Sequence, residues 1–101
     1  MRDIHVAHLD KARPVLVLTR DSAREVLGKV TVAPITSTVK GLSTEVRLGP
    51  RNGLDQECVA SCDNILTIDK RLLGRHVGLL LDDQEPALAR AVLNAFALTT
   101  A

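Results

Sequence analysis

The chain has 101 residues, 46% of them apolar and 25% charged, proportions that fit a folded domain and exclude a collagen-like, coiled-coil or wholly disordered chain. Lys and Arg number 13 against 12 Asp and Glu, a formal charge of +1, so any nucleic-acid contact must come from a local cluster of cations. No stretch reaches the roughly 18 uninterrupted apolar residues of a membrane span, and no metal or nucleotide motif occurs.

The segment 4–9 alternates loosely, as a half-buried strand does. Arg13-Pro14 opens the apolar run Val15–Thr19, with Pro14 suited to the first residue of a strand. The charged segment 20–28 reads as a connecting loop. Lys29–Ala33 is a third strand, and Pro34 predicts a bend before Ile35-Thr36-Ser37-Thr38. A loop around Gly41 leads to an edge strand over Glu45–Leu48, and Gly49-Pro50 and Asn52-Gly53 signal turns. Cys58–Cys62 and Ile65–Ile68 read as strand pieces separated by Asp63-Asn64, then a helical turn over 69–73 and a strand over 76–81. Leu88, Val92, Ala95 and Phe96 recur at helical spacing, with Asp82 or Asp83 as the cap and Pro86 inside the first turn. The sum is a mainly β chain of five to seven short strands with a C-terminal helix, expected to form one small bent antiparallel barrel over residues 1–101. Phe96 is its only aromatic residue, so the core is aliphatic and no platform for base stacking exists. The start, Met1-Arg2-Asp3-Ile4-His5, carries no apolar signal segment, and with two cysteines only, a cytoplasmic location is expected.

Several residues bear chemistry. An Arg13 guanidinium on a rigid strand entrance suits bidentate phosphate binding; a solvated arginine at a strand start is the commoner case. Thr36-Ser37-Thr38 places three hydroxyls at a strand end, where they bind either a phosphate oxygen or the backbone of their own turn. Asp63 reads either as a carboxylate paired with an arginine or as a turn residue. His5, His8 and His76 lack metal-ligand spacing, and His5 and His8 point to opposite faces of a strand. Cys58 and Cys62, four apart on an extended strand, would stand roughly 13 Å apart, too far for a disulfide.

Taken together, Arg13–Leu18, Val32–Thr38, Ser43–Val46 through Gly53–Asp55, Cys62–Lys70 and Arg75–Gly78 resemble, in order, the MazF/PemK family of toxin endoribonucleases, in particular its short-loop members. The resemblance implies an SH3-like barrel, a homodimer, and cleavage of single-stranded RNA without a metal or other cofactor, through attack of a ribose 2′-OH. It carries the family's catalytic arginine onto Arg13 and its threonine onto Thr36. Asp63 matches a third position, with Ser61 where some members have an arginine. Ser37, Thr38, Lys40 and Arg20 are the expected RNA contacts, and Asp63 or a nearby histidine the expected proton acceptor. Only Asp10-Lys11-Ala12 joins the first strand to Arg13, where many relatives carry a longer loop. The resemblance also implies a cognate antitoxin whose acidic, partly disordered C-terminal segment lies in the RNA groove, with no membrane partner. The alternatives are a non-enzymatic toxin of the same barrel acting on DNA gyrase and a non-catalytic RNA-binding barrel. The terminal Leu98-Thr99-Thr100-Ala101, without a Trp, argues against the first, and the near-zero net charge against the second.

Overall fold

The apolar runs become seven strands of an antiparallel sheet in the computed structural model, which describes residues 1–99. They are β1 (Arg2–His8), β2 (Ala12–Val17), β3 (Lys29–Thr36), β4 (Glu45–Leu48), β5 (Cys58–Ser61), β6 (Leu66–Asp69) and β7 (Leu73–Leu80). The spatial order is β4-β5-β3-β2-β1-β7, with β6 also on β3. The far edge of β3 is therefore shared: Lys29–Val32 pair with β6, whereas Ile35 and Thr36 pair with β5. That exchange of neighbours curls the sheet into the small half-barrel expected for this pattern.

Val15, Leu16 and Val17 are all buried because β2 is covered on both faces. Leu16 belongs to a core that includes Ile4, Ile35, Val46 and Leu80 and is covered by Leu88 and Ala91 of the terminal helix α2 (Glu85–Ala95). Val15 and Val17 belong to a second cluster on the opposite face, with Ala7, Val30, Val32 and Ile68. The two-residue period of a strand separates the clusters.

The structure departs from the expectations at several points. β3 runs on through Pro34 to Thr36, beyond the expected end at Ala33, and Pro14 is the third residue of β2, not the first. Thr31 exchanges its backbone groups with the β2 side, so Pro34, three residues on, turns its nitrogen to the other edge. There β6 has ended at the Val32 pair and β5 has yet to begin at Ile35, so no ladder needs the missing N–H. Pro14 faces the β3 edge in the same way, and the β2–β3 ladder ends beside it at Val15 and Pro34.

The segment taken for a loop contains a helical turn, α1 (Asp21–Arg24), held by burial of Ala23 and by Arg24, which pairs with Asp21 and Asp3. Cys62 sits in a 3₁₀ turn with Asp63 and Asn64, outside β5; both cysteines are buried and free. Asp82 and Asp83 do not cap α2. They form a 3₁₀ turn before it, in which Gln84 reaches back to the Leu81 N–H at 2.9 Å, while Asp83 pairs with Arg51. Pro86 falls in the first turn of α2 as expected. Phe96 is not core: it is 56% exposed. Eight residues beyond Leu88 it has rotated about 80° off the buried line, and the helix closes there with Ala97 at φ 53° and the Leu98 N–H on the Leu93 carbonyl at 2.8 Å. Thr100 and Ala101, part of the chain-end comparison, lie outside the described residues.

Candidate active site

The β2–β3 register pairs Val15 with Pro34 and Leu16 with Ala33. Continued two residues past its last pair, it sets Arg13 opposite Thr36, with both side chains on one face. The ladder stops short of them because Pro14 has no N–H to offer β3, and the strand ends open there into two clefts. Arg13 and Thr36 line both. One cleft, about 350 Å³, is completed by Lys11, Pro14, Ser37, Leu54, Asp55 and Gln56 among others. The other, about 520 Å³, is completed by Pro34, Thr38, Lys40, Leu42, Glu45, Ser61, Asp63 and Asn64. Arg13 and Thr36 thus stand on the ridge that the clefts share.

Arg13 is held there incompletely. Among the described residues its only side-chain partner is Asp10, at 3.5 Å and exposed. Its Nε is, among the described residues, the one buried side-chain nitrogen or oxygen without a hydrogen-bond partner. A buried donor left unpaired costs about 1–3 kcal/mol, which an incoming anionic oxygen would relieve. Thr36 Oγ1 accepts the Thr38 N–H at 3.1 Å, so its own proton remains available to a ligand.

The wall opposite is rigid. The Glu45 carboxylate accepts backbone N–H groups of Lys40, Gly41 and Leu42 at 3.3, 2.8 and 3.1 Å, pinning the loop that carries Thr38 and Lys40. Asp63 accepts the Thr44 hydroxyl at 2.6 Å and lines the larger cleft with Arg13. Ser61, at the position of the family arginine, accepts the Asn64 amide at 2.8 Å.

The expected residues are brought together with two exceptions. Arg20 lies elsewhere, lining a cleft of about 310 Å³ with Arg2, Asp3, Arg24 and Glu85, because it follows the C-terminal end of β2 (Ala12–Val17), a strand's length from Arg13 at the other end. No histidine among the described residues lines either Arg13 cleft, where the expected alternative proton acceptor was a histidine. Conversely, Lys11, Asp55 and Gln56 line the smaller cleft, although Asp55 read only as part of a turn and Lys11 as part of a short connection. The histidines do gather, away from these clefts: His5 meets His76 across β1 and β7, beside Asp3. Burial pushes the Cys58 and Cys62 thiols above their usual range, with Glu57 and Asp63 adding to it, so neither is set up as a nucleophile.

The model of the PemK-like, MazF-like toxins of type II toxin–antitoxin systems matches residues 3–96. The chain is 61% identical over 98 residues to endoribonuclease MazF3 of Mycobacterium tuberculosis, covering 97% of this chain and 95% of that protein. The solved structure of M. tuberculosis toxin MazF-mt6 superposes with a TM-score of 0.96 at 60% identity, covering 98% of this chain and all (100%) of that one. A mycobacterial endoribonuclease solved with its cognate antitoxin, at 24% identity and a TM-score of 0.87 over 98% of this chain and 95% of that one, shares the fold.

Proposed function

The chain belongs to the PemK-like, MazF-like toxin family of type II toxin–antitoxin systems, and we propose that it cuts RNA at the ridge formed by Arg13 and Thr36. It is an endoribonuclease toxin, as its 61% identical relative is named. The observation that carries the site is the pairing of an under-bonded Arg13 with a Thr36 hydroxyl on the one edge common to two clefts.

In this reading a single RNA strand crosses the ridge with its scissile phosphate between Arg13 and Thr36 and the flanking nucleotides in the two clefts. The ribose 2′-oxygen attacks phosphorus, the P–O5′ bond breaks, and the products are a 2′,3′-cyclic phosphate and a 5′-OH end. The substrate supplies the nucleophile, so the protein's work is to orient the attacking oxygen, stabilise charge and move two protons. Arg13, permanently protonated, stabilises the charge that builds on the phosphorane; Thr36 donates to a nonbridging oxygen. Asp63 is the carboxylate expected to take the 2′-OH proton, held in place by Thr44. Ser37, Thr38 and Lys40 contact the phosphates and base edges on either side. No step calls for a metal ion.

The same reading includes one domain over 1–101, a homodimer, a cytoplasmic location and a cognate antitoxin whose acidic segment covers the ridge. None of the described helices is long and apolar enough to cross a membrane. Exposed Leu42 and Phe96 support the dimer: the Asn94 amide donates to the Ser43 carbonyl at 3.2 Å, joining the cleft loop to the end of α2 in one surface.

Purified protein with EDTA and single-stranded RNA tests the assignment. Arg13→Ala should lose on the order of 10²–10³-fold in cleavage rate and Thr36→Ala about tenfold, with Thr36→Ser retaining most of the activity and all variants folded by circular dichroism. Parental rates in folded Arg13→Ala would refute the site, and loss of all cleavage in EDTA would refute the metal-free mechanism.

A further inference from the structure

We propose that Asp3, His5 and His76 bind one divalent transition-metal ion of the zinc class on the seam between β1 and β7, apart from the RNA site. Each of the three offers a ligand atom, and these atoms lie within 4.8 Å of one another. Asp3 and His5 are two apart on β1 and share a face. His76 reaches that face through a bulge: Ile4 pairs with Gly78, but the next pair is His5 with His76, so β7 carries Val77 as an extra residue. An unbroken register would put Val77 opposite His5 and turn His76 to the other side of the sheet.

The outer contacts are those a metal site uses. His5 Nδ1 lies 3.0 Å from the Gly74 carbonyl, so it donates there and leaves Nε2 as the lone-pair ligand. Asp3 is held through its Oδ2 by the Arg24 guanidinium, leaving Oδ1 toward His76 Nε2 at 3.0 Å. The rings of His5 and His76 meet edge to face with centroids 5.1 Å apart, so they do not stack over one another and shut the ion out. An ion entering between them replaces the Asp3–His76 hydrogen bond, and the neutral His76 ring then carries its proton on Nδ1 while Nε2 ligates. Two imidazoles and one carboxylate suit zinc or cobalt(II) better than magnesium or calcium, with a fourth position left to water. Access is open: the His76 side chain is 50% exposed, and Asp3 borders the 310 Å³ cleft beside Arg24. None of the three ligands lines the Arg13 clefts.

The test begins with EDTA-treated, dialysed full chain, titrated with cobalt(II) by visible absorption and with zinc by calorimetry. One equivalent should bind with the absorption of a four-coordinate site, and zinc should raise the melting temperature by a few degrees. His5→Ala and the half-exposed His76→Ala should each weaken binding by on the order of 100-fold or more, whereas His8→Ala, outside the group, should bind as the parent does. Absence of one-to-one binding, or parental affinity in folded His76→Ala, overturns the site. In EDTA, His76→Ala should cleave RNA at the parental rate; loss of cleavage there would overturn the separation of the ion from the reaction while leaving Arg13 and Thr36 to their own test.

Discussion

A guanidinium with a buried, partnerless Nε is a poor choice for stability and a good one for an oxyanion. Arg13 differs in this from Arg2, which is paired with Glu85 at 3.0 Å and donates to the Leu18 carbonyl at 2.7 Å, and from Arg24, which is fixed on Asp3. The contrast supports the proposal that a ligand oxygen completes the hydrogen bonds of Arg13, whose Nε is buried. Asp69 shows the opposite case, a charge fully used at home. The side-chain and backbone hydrogen bonds of Arg71 hold its carboxyl down at about 2. Because this folded value lies below the ordinary carboxyl value of about 3.9, the pair's contribution to stability is complete above that value and is lost as pH falls from there toward the folded one. An NMR titration of the side-chain carboxyl should find a midpoint near 2 in the parent protein and a return toward the ordinary range in Arg71→Ala. An ordinary midpoint in the parent would contradict the pairing.

At the scale of elements, the second feature that shapes the molecule is the approach of β7 to the 3₁₀ turn Pro50–Asn52. A Cβ on Gly78 would come within 1.9 Å of the Asn52 carbonyl oxygen, and one on Gly53, at φ 87°, within 2.3 Å of the Val77 carbonyl oxygen. Asn52 itself is buried and fully bonded, to the Gly49 N–H at 3.1 Å, the Leu79 carbonyl at 2.9 Å and Gln84 at 2.6 Å. Gly78→Ala must push these backbones apart, and chemical denaturation should show a loss of at least about 1–3 kcal/mol; an unchanged midpoint would show that the approach is looser than described. This is also where the limits of reading a sequence lie. Strand positions were legible because Val15–Val17 and Val30–Ala33 leave only a sheet buried on both faces, and Asn52-Gly53 announces its turn. Pro34 misled because its effect depends on which neighbour lies on its nitrogen side, a property of the sheet and not of β3. The Asp3–His5–His76 group was invisible because His76 is separated from the other two by most of the chain and meets them only through a bulge at Val77.

For the molecule as a whole, the even balance of 13 basic and 12 acidic residues removes long-range attraction as the means of gripping RNA. In the proposed function, affinity comes from the local cations of the clefts, Lys11, Arg13 and Lys40, and from hydroxyl and amide groups reading base edges, since the lone Phe96 lines neither cleft. Arg13 and Thr36 were legible as a pair only through the family resemblance; composition and spacing left each with an ordinary structural role. Arg20 was misplaced because the extended strand β2 sets it and Arg13 at opposite ends. In the proposed mechanism the ridge sets a guanidinium and a hydroxyl on one linkage, and the sugar next to that linkage does the attacking. The decisive measurement is cleavage of an RNA oligonucleotide carrying a single 2′-deoxy substitution 5′ to the cut, with the ends of the parent products identified by mass. Complete protection of that linkage, together with 2′,3′-cyclic phosphate and 5′-OH ends on the all-ribose strand, is the predicted result. Cutting of the deoxy-substituted linkage, or products that carry a 5′-phosphate, would contradict it.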